Sequence, residues 1–402
     1  MVAYQDFVGL CQSRDSEDRG RAAHLAAQAY LGHSGPADEH AALYAALIGF
    51  LDDPSVKVRA ALAYGLLHAP EAPRPILLAL LQDAPIIARA IAQYSPALID
   101  ADLIALVRTA EPSMLLAVTM RERISQRLAE ALVARGRRVI TLRLLRRPDV
   151  PFDPELLSEL AADLGTRDAP IRGALLARPD LPATARLRLV EVVANALRGA
   201  RIVKGAVAPR RLEQLLRDST DTAMTAIGER EAAQGRAPYA AAMIGAQRIS
   251  PRVMLHAIVN GHVLFLAECL AELAETPRDK VFTILQAGSR AVLNALLARC
   301  GLGEAVRNMI CRLIFHARTA DLADDVAARH YIVTALTEEL IAEHEGAIPP
   351  DLEECFAYLS EQNVALARRA ARGVMAAFAG DVHGMRPMPV PPEDEPFALP
   401  AA

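Results

Sequence analysis

The eight residues Leu144-Leu145-Arg146-Arg147-Pro148-Asp149-Val150-Pro151 return 31 positions later as Leu175-Leu176-Ala177-Arg178-Pro179-Asp180-Leu181-Pro182. An internal echo of this kind restricts a chain to a stack of like units. Each copy reads as the end of a helix, an X-Pro step that pushes the preceding residue out of the α region, an Asp at a turn and a second Pro before the next helix. Looser versions stand at Leu66-Leu67-His68-Ala69-Pro70 and at Ile91-Ala92-Gln93-Tyr94-Ser95-Pro96. The Leu-Leu-type segments begin near Leu66, Ile91, Met120, Leu144 and Leu175, with spacings of 25, 29, 24 and 31 residues. A helix pair that short cannot cover its own apolar face, so its neighbours must do so. The expectation is an all-α chain: an α-solenoid of short helix pairs, followed by a second α-helical domain.

Composition agrees with helices. Hydrophobic residues make up 52% of the 402, aromatics only 4%, and there is no Trp. Ala and Leu therefore have to build the core, which suits closely packed helices. Strand-forming residues do not alternate in runs, and the hairpin dipeptide Asp-Gly is missing.

At the turns a second pattern appears. Asp52-Asp53-Pro54-Ser55 ends one helical segment, and Val56-Lys57-Val58-Arg59-Ala60 begins the next. Asp83 and Arg89 repeat the six-residue offset of Asp53 and Arg59. This arrangement resembles HEAT-like repeats, and the resemblance implies a ladder in which turn Asp and second-helix Arg link neighbouring repeats by charge-assisted hydrogen bonds. Asp53, Arg59, Asp83 and Arg89 are the expected members. Farther on, Asp168-Ala169-Pro170-Ile171-Arg172 brings its Arg two positions early, onto another helix face.

The run Gly199-Ala200-Arg201-Ile202-Val203-Lys204-Gly205-Ala206-Val207-Ala208-Pro209 interrupts helical periodicity. The expected organisation is a solenoid over 1–197, a hinge at 198–210, a helical domain over 211–383 and a disordered, Pro-rich acidic tail at 384–402. The spacing of Gly199 and Gly205 is no phosphate loop, because Lys204 precedes the second Gly and no strand feeds it.

The Leu-Leu-x-Arg-Pro-Asp-x-Pro segments are followed by Ile249-Ser250-Pro251, Leu255-His256-Ala257, Gly261, Phe265, Leu270-Ala271-Glu272-Leu273-Ala274, Leu293-Asn294-Ala295-Leu296 and Cys300-Gly301-Leu302. In this order of features the chain resembles an alphaproteobacterial family of HEAT-like helical-repeat proteins of unknown function, over most of residues 40–310. The resemblance implies an architecture and brings no activity with it.

Chemistry is sparse. Cys11, Cys269, Cys300, Cys311 and Cys355 are odd in number and never paired as C-x-x-C, which argues against a disulfide framework or a structural zinc. No His-Glu-x-x-His, nucleophile–base pair or carboxylate constellation emerges, so no catalytic, cofactor-binding or metal-binding residue is expected. His256 and His262 read as structural. A net charge of −4 gives no general attraction to nucleic acid or to an anionic membrane. The start of the sequence lacks a basic and apolar leader, and the longest apolar stretch, 253–267, is too short to span a bilayer. Reduced thiols and a cytoplasmic location follow as expectations.

One stretch exceeds background. Arg135, Arg137, Arg138, Arg143, Arg146 and Arg147 crowd into a segment with few acids. Two readings stay open: a positive strip formed by side-by-side helices, or solvated helix ends in a chain whose 44 basic residues include only three Lys. The strip would fit an acidic protein surface first. Nucleic acid comes second, because between Tyr94 and Tyr239 the only aromatic is Phe152. The expected function is a non-catalytic scaffold or regulator that binds another protein, with a nucleic-acid-binding HEAT-like protein as the alternative.

Overall fold

The computed structural model describes residues 4–236, 238–319 and 325–381, and among them the only regular secondary structure is α-helix. The chain forms two compact units, Met1–Val192 and Val193–Ala402. The acidic segment expected at 384–402 lies outside the described residues.

The first unit holds α1 (Tyr4–Cys11), α2 (Ser16–Leu31), α3 (Ala37–Leu51), α4 (Val56–Leu66), α5 (Arg74–Leu80), α6 (Pro85–Tyr94) and α7 (Asp100–Thr109). It continues through α8 (Pro112–Thr119), α9 (Gln126–Ala134), α10 (Arg138–Leu145), α11 (Pro154–Ala162), α12 (Leu164–Arg167), α13 (Ala169–Ala177) and into α14 (Ala183–Gly199). Helix α2 packs on α4, α4 on α6, α6 on α8, α8 on α10 and α10 on α13, while α3 packs on α5 and α7 on α9. One unbroken apolar core runs through the unit from Ala22 to Leu189. Small side chains set the first of these contacts: a Cβ on Gly65 of α4 would come within 2.6 Å of the Ala27 Cβ on α2. Helix starts follow local chemistry. Pro85, Pro112 and Pro154 occupy first-turn positions, and Ser125, Asp153 and Asp168 accept hydrogen bonds from backbone N–H groups of the turns they cap.

The division between the units falls within α14 and not at 198–210. Ala185, Leu187 and Leu189 are buried, and no later residue of α14 is. The helix nonetheless continues to Gly199, because Val193-Ala194-Asn195-Ala196-Leu197-Arg198 contains no breaker. Residues 198–210 are largely helical: the end of α14, α15 (Arg201–Ala206) and the start of α16 (Pro209–Ala233).

Two arginine ladders tie successive turns of the first unit together. In the first, Arg19 binds Asp53 through Nε and Nη2 at 2.7 and 3.1 Å, and Arg59 binds Asp83 at 2.7 and 2.9 Å. Arg59 also donates to the carbonyl of Asp53 in its own turn at 2.7 Å, so it spans two turns. The guanidinium partners hold the carboxyls of Asp53 and Asp83 below the usual carboxylate range. Arg74 with Asp102, and Arg138 with Asp168, make the same two-pronged contact farther along. Arg89, expected as a rung, is not one: it is exposed, and its Nε donates to the Pro85 carbonyl at 3.0 Å. The reason lies in the next turn. Where Asp83 stands two residues before the helix-starting Pro85, Ala110 stands two before Pro112; the carboxylate of that turn, Glu111, stands one position later and makes no ion pair with Arg89. Arg59→Ala therefore costs about 2 kcal/mol, the scale of a part-buried charge-assisted hydrogen bond, and Arg89→Ala less than about 0.5 kcal/mol. Equal losses in urea unfolding would refute the rung assignment.

In the second ladder the arginines reach back to carbonyls. Arg121 donates to Ala92 and Ser95, Arg147 to Thr119, Arg121 and Glu122, and Arg178 to Leu145, Arg147 and Val150. Arg147 and Arg178 occupy matching positions in the two sequence echoes. The repeated motif thus encodes a clamp: each Arg satisfies helix-end carbonyls of the preceding unit, which no further helical turn can satisfy.

The second unit comprises the rest of α14, α15, α16, α17 (Pro238–Gly245), α18 (Pro251–Val259), α19 (Val263–Leu273), α20 (Arg278–Ala287), α21 (Arg290–Arg299), α22 (Glu304–Ala317), α23 (Val326–Glu343) and α24 (Pro350–Asp381). Its centre is α18, in which every residue is buried from Arg252 to Val259, between α16, α19, α22 and α24. Helices α16 and α19 meet where Gly228 lies under the Phe265 ring; a Cβ there would fall 2.1 Å from Phe265 Cδ2. Among the described residues no helix is long and apolar enough to cross a membrane.

Candidate functional site

The structure divides the six candidate arginines into two sets of three. Arg135 donates to the carbonyls of Arg108 and Ala110 at the end of α7, Arg138 is paired with Asp168, and Arg147 belongs to the carbonyl ladder and pairs with Asp149. These three hold the fold together. Arg137, Arg143 and Arg146 are exposed, and their guanidinium groups make no hydrogen bond or ion pair with any described residue. All three lie on or beside α10.

Around them is an apolar floor that the sequence reading missed. Thr119, Met120, Val139, Leu142, Arg143, Arg146 and Arg147 line a shallow groove of about 490 Å³ between α8 and α10. Met120 also borders a second hollow of about 760 Å³, whose other lining residues include His68, Tyr94, Leu98, Asp100 and Ser125. The two hollows adjoin at Met120, near the ends of α6, α8 and α10. Val139 is 60% exposed, Tyr94 50% and Met120 49%, which is costly for side chains of this kind unless something covers them. Tyr94 also stacks edgewise on His68, with centroids 5.6 Å apart. A signal was present in the sequence. Tyr64, Tyr94 and Met120 follow one another at 30 and 26 residues, within the repeat spacing, and Tyr64 is likewise exposed.

The densest polar cluster lies in the interior of the second unit. Arg252, 4% exposed, binds Asp218 at 2.5 Å and Asp221 at 2.9 Å, approaches Glu361 at 3.5 Å and lies over the Tyr358 ring at 4.8 Å. Burial outweighs the attraction of Arg252 and holds the Asp218 and Asp221 carboxyls above their usual range. His256 bridges the Tyr358 hydroxyl, 3.0 Å from Nδ1, and Thr222 Oγ1, 3.1 Å from Nε2. Burial first, then the nearby His262 and Arg252, pushes its pKa down to about 3.

This cluster makes the fold sensitive to acid. His256 stays neutral when folded, but in the unfolded chain it takes up a proton below its ordinary pKa near 6.5. Its contribution is complete above that pH and is lost as pH falls from 6.5 towards 3, by up to about 1.4 kcal/mol per pH unit. Asp218 and Asp221 act in the opposite sense, since their raised carboxyls take up protons more readily when folded. Unfolding curves from pH 7 to 5 should fall more steeply for the wild type than for His256→Gln; parallel curves would refute the assignment.

Among the described residues no group of three His, Cys, Asp or Glu side chains is placed to hold a metal ion. All five cysteines are free, and burial raises the thiols of Cys269 to about 12 and of Cys300 and Cys355 to about 11. Their thiolates are therefore scarce at neutral pH.

Residues 87–348, nearly two thirds of the chain, match an uncharacterised protein family conserved in bacteria, DUF2336. The chain belongs to that family. No curated protein and no solved structure matches it. The DUF2336 span takes in α10 and the whole Tyr94–Met120–Val139 floor, and it leaves out the Arg19–Asp53 and Arg59–Asp83 rungs and α24.

Proposed function

We propose that this protein is a non-catalytic scaffold or regulator of the cytoplasm, and that it binds another protein on the face formed by α8 and α10. One observation carries the reading: Arg137, Arg143 and Arg146 stand unpaired beside the exposed Val139 and Met120. Apolar anchors surrounded by unneutralised cations are the chemistry of a surface that receives an acidic partner. The serial packing of α4, α6, α8, α10 and α13 supports a HEAT-like solenoid, whose use in proteins is to offer extended surface.

Affinity capture from a bacterial lysate tests this with the wild type and with Arg143→Glu/Arg146→Glu. Both substitutions are at exposed positions, so helix content should be unchanged while a specific partner is lost. Identical sets of captured proteins would overturn the reading. Capture of nucleic acid, with affinity falling steeply as salt rises, would move it to the nucleic-acid alternative.

A further inference from the structure

One rung of the carbonyl ladder differs from the other two. Arg147 and Arg178 each satisfy carbonyls of the preceding unit and are themselves held by an acid two residues on. Arg147 Nε donates to Asp149 at 3.2 Å and Arg178 Nε donates to Asp180 at 2.9 Å, while in both rungs Nη2 donates to the second oxygen of the same carboxylate. Arg121 makes the same reach, with Nη1 2.7 Å from the Ala92 carbonyl and Nη2 2.8 Å from that of Ser95. Two residues on, however, stands Arg123. The Nε–Nη2 edge that an acid grips in the other rungs meets no carboxylate among the described residues, and Arg121 Nε is buried without an acceptor.

Charge and shape both point to a ligand at this edge. Arg121 is 9% exposed, and burial lowers its pKa, an effect that the charge of Asp100 only partly offsets. A guanidinium stays protonated inside a protein, so this cation is held out of water on carbonyl dipoles with no ion pair. Ser95, whose carbonyl Arg121 holds, is fully buried, and its hydroxyl likewise has no partner. Arg121 and Arg123 both line the hollow of about 760 Å³, and Tyr94, Leu98, Met120 and Ile124 give it an apolar wall. A concave apolar surface with a few polar groups to fix orientation is the usual form of a small-molecule site.

We infer that this hollow binds a small organic acid, whose carboxylate takes the Nε–Nη2 edge of Arg121 beside Arg123 and whose apolar or aromatic body lies along Tyr94 and Met120. Nε is closed to water, so entry takes a rotamer change, which the exposed Met120 and Arg123 can make without giving up a side-chain hydrogen bond to any described residue. Asp100 and Glu122 also border the hollow. Their charges repel phosphate-rich ligands and favour a single negative charge, so the ligand is a monocarboxylate. Arg143 and Arg146 do not line this hollow, and the inference goes beyond the docking face without depending on it.

The test uses the full-length chain, with phenylacetate as the probe and phenylacetamide as its neutral counterpart. In protein with isotope-labelled methionine methyls, the Met120 signal should shift as phenylacetate is added, with a dissociation constant on the order of 1 mM, as suits so small a ligand. The amide should bind at least about tenfold more weakly, because it cannot form the charge-assisted pair. Arg123→Ala and Arg123→Asp then separate the edge from general charge. Both remove an exposed cation, but Asp restores the acid that follows Arg147 and Arg178. Arg123→Ala should keep phenylacetate within about fivefold of the wild type. Arg123→Asp should melt several degrees above Arg123→Ala and bind phenylacetate at least about tenfold more weakly than that variant, since its own carboxylate competes for the edge. An unmoved Met120 signal, equal binding of acid and amide, or equal behaviour of the two variants overturns the inference. It also fails if Arg123→Asp is stabilised while phenylacetate binds none of the chains, for Arg121 would then lack only an internal partner.

Discussion

Arg252→Met should lower the stability of the second unit by about 3–5 kcal/mol, the scale at which one partner of a buried ion cluster is removed. The side chain is 4% exposed and faces Asp218, Asp221 and Glu361. Met fills much of its volume over Tyr358 but leaves the buried Asp221, and the partly buried Asp218 and Glu361, without their guanidinium partner. Amide exchange in α16, α18 and α24 should accelerate by factors of roughly hundreds to thousands, and the first unit should not respond. Adding Asp221→Asn should recover part of the loss, because the neutral amide no longer needs the charge. A cost below about 1 kcal/mol would show that the cluster is solvated.

Arg178→Met should have an effect of similar size in the first unit. Arg178, 3% exposed, donates to the carbonyls of Leu145, Arg147 and Val150, binds Asp180 and lies 4.8 Å over the Phe152 ring. Each buried carbonyl left without a donor costs about 1–3 kcal/mol, so a total of about 3–5 kcal/mol is expected. Arg178→Lys should restore little of it, because an ammonium cannot serve three carbonyls and a carboxylate from the positions of a planar fork. Exchange protection should fall across α10 and α13 while α18 keeps its own. Full rescue by Lys would mean that charge, and not directed hydrogen bonding, holds this rung.

These two arginines differ in how plainly the sequence announced them. Arg178 belongs to the echo that set the repeat, although its role as a clamp on the preceding unit does not follow from the echo alone. Arg252 stood in no motif: its carboxylate partners are 31, 34 and 109 residues away, and only the packing of α16, α18 and α24 joins them. The candidate surface was half legible. The basic stretch contained Arg137, Arg143 and Arg146, but nothing local distinguished them from Arg135, Arg138 and Arg147. The apolar floor was hidden because Tyr94, Met120 and Val139 are 26 and 19 residues apart and meet only across stacked helices.

The sequence by itself determined the all-α character, the short period of the first unit and the turn aspartates Asp53 and Asp83, since these depend on side-chain type and local spacing. Tertiary structure decided which arginines are consumed and which are free. The physical reason is that most of the consumed ones bind backbone carbonyls, and a carbonyl is the same group at every position. Which of them lacks a helical partner, and which Arg reaches it, depends on where helices end and stack in space.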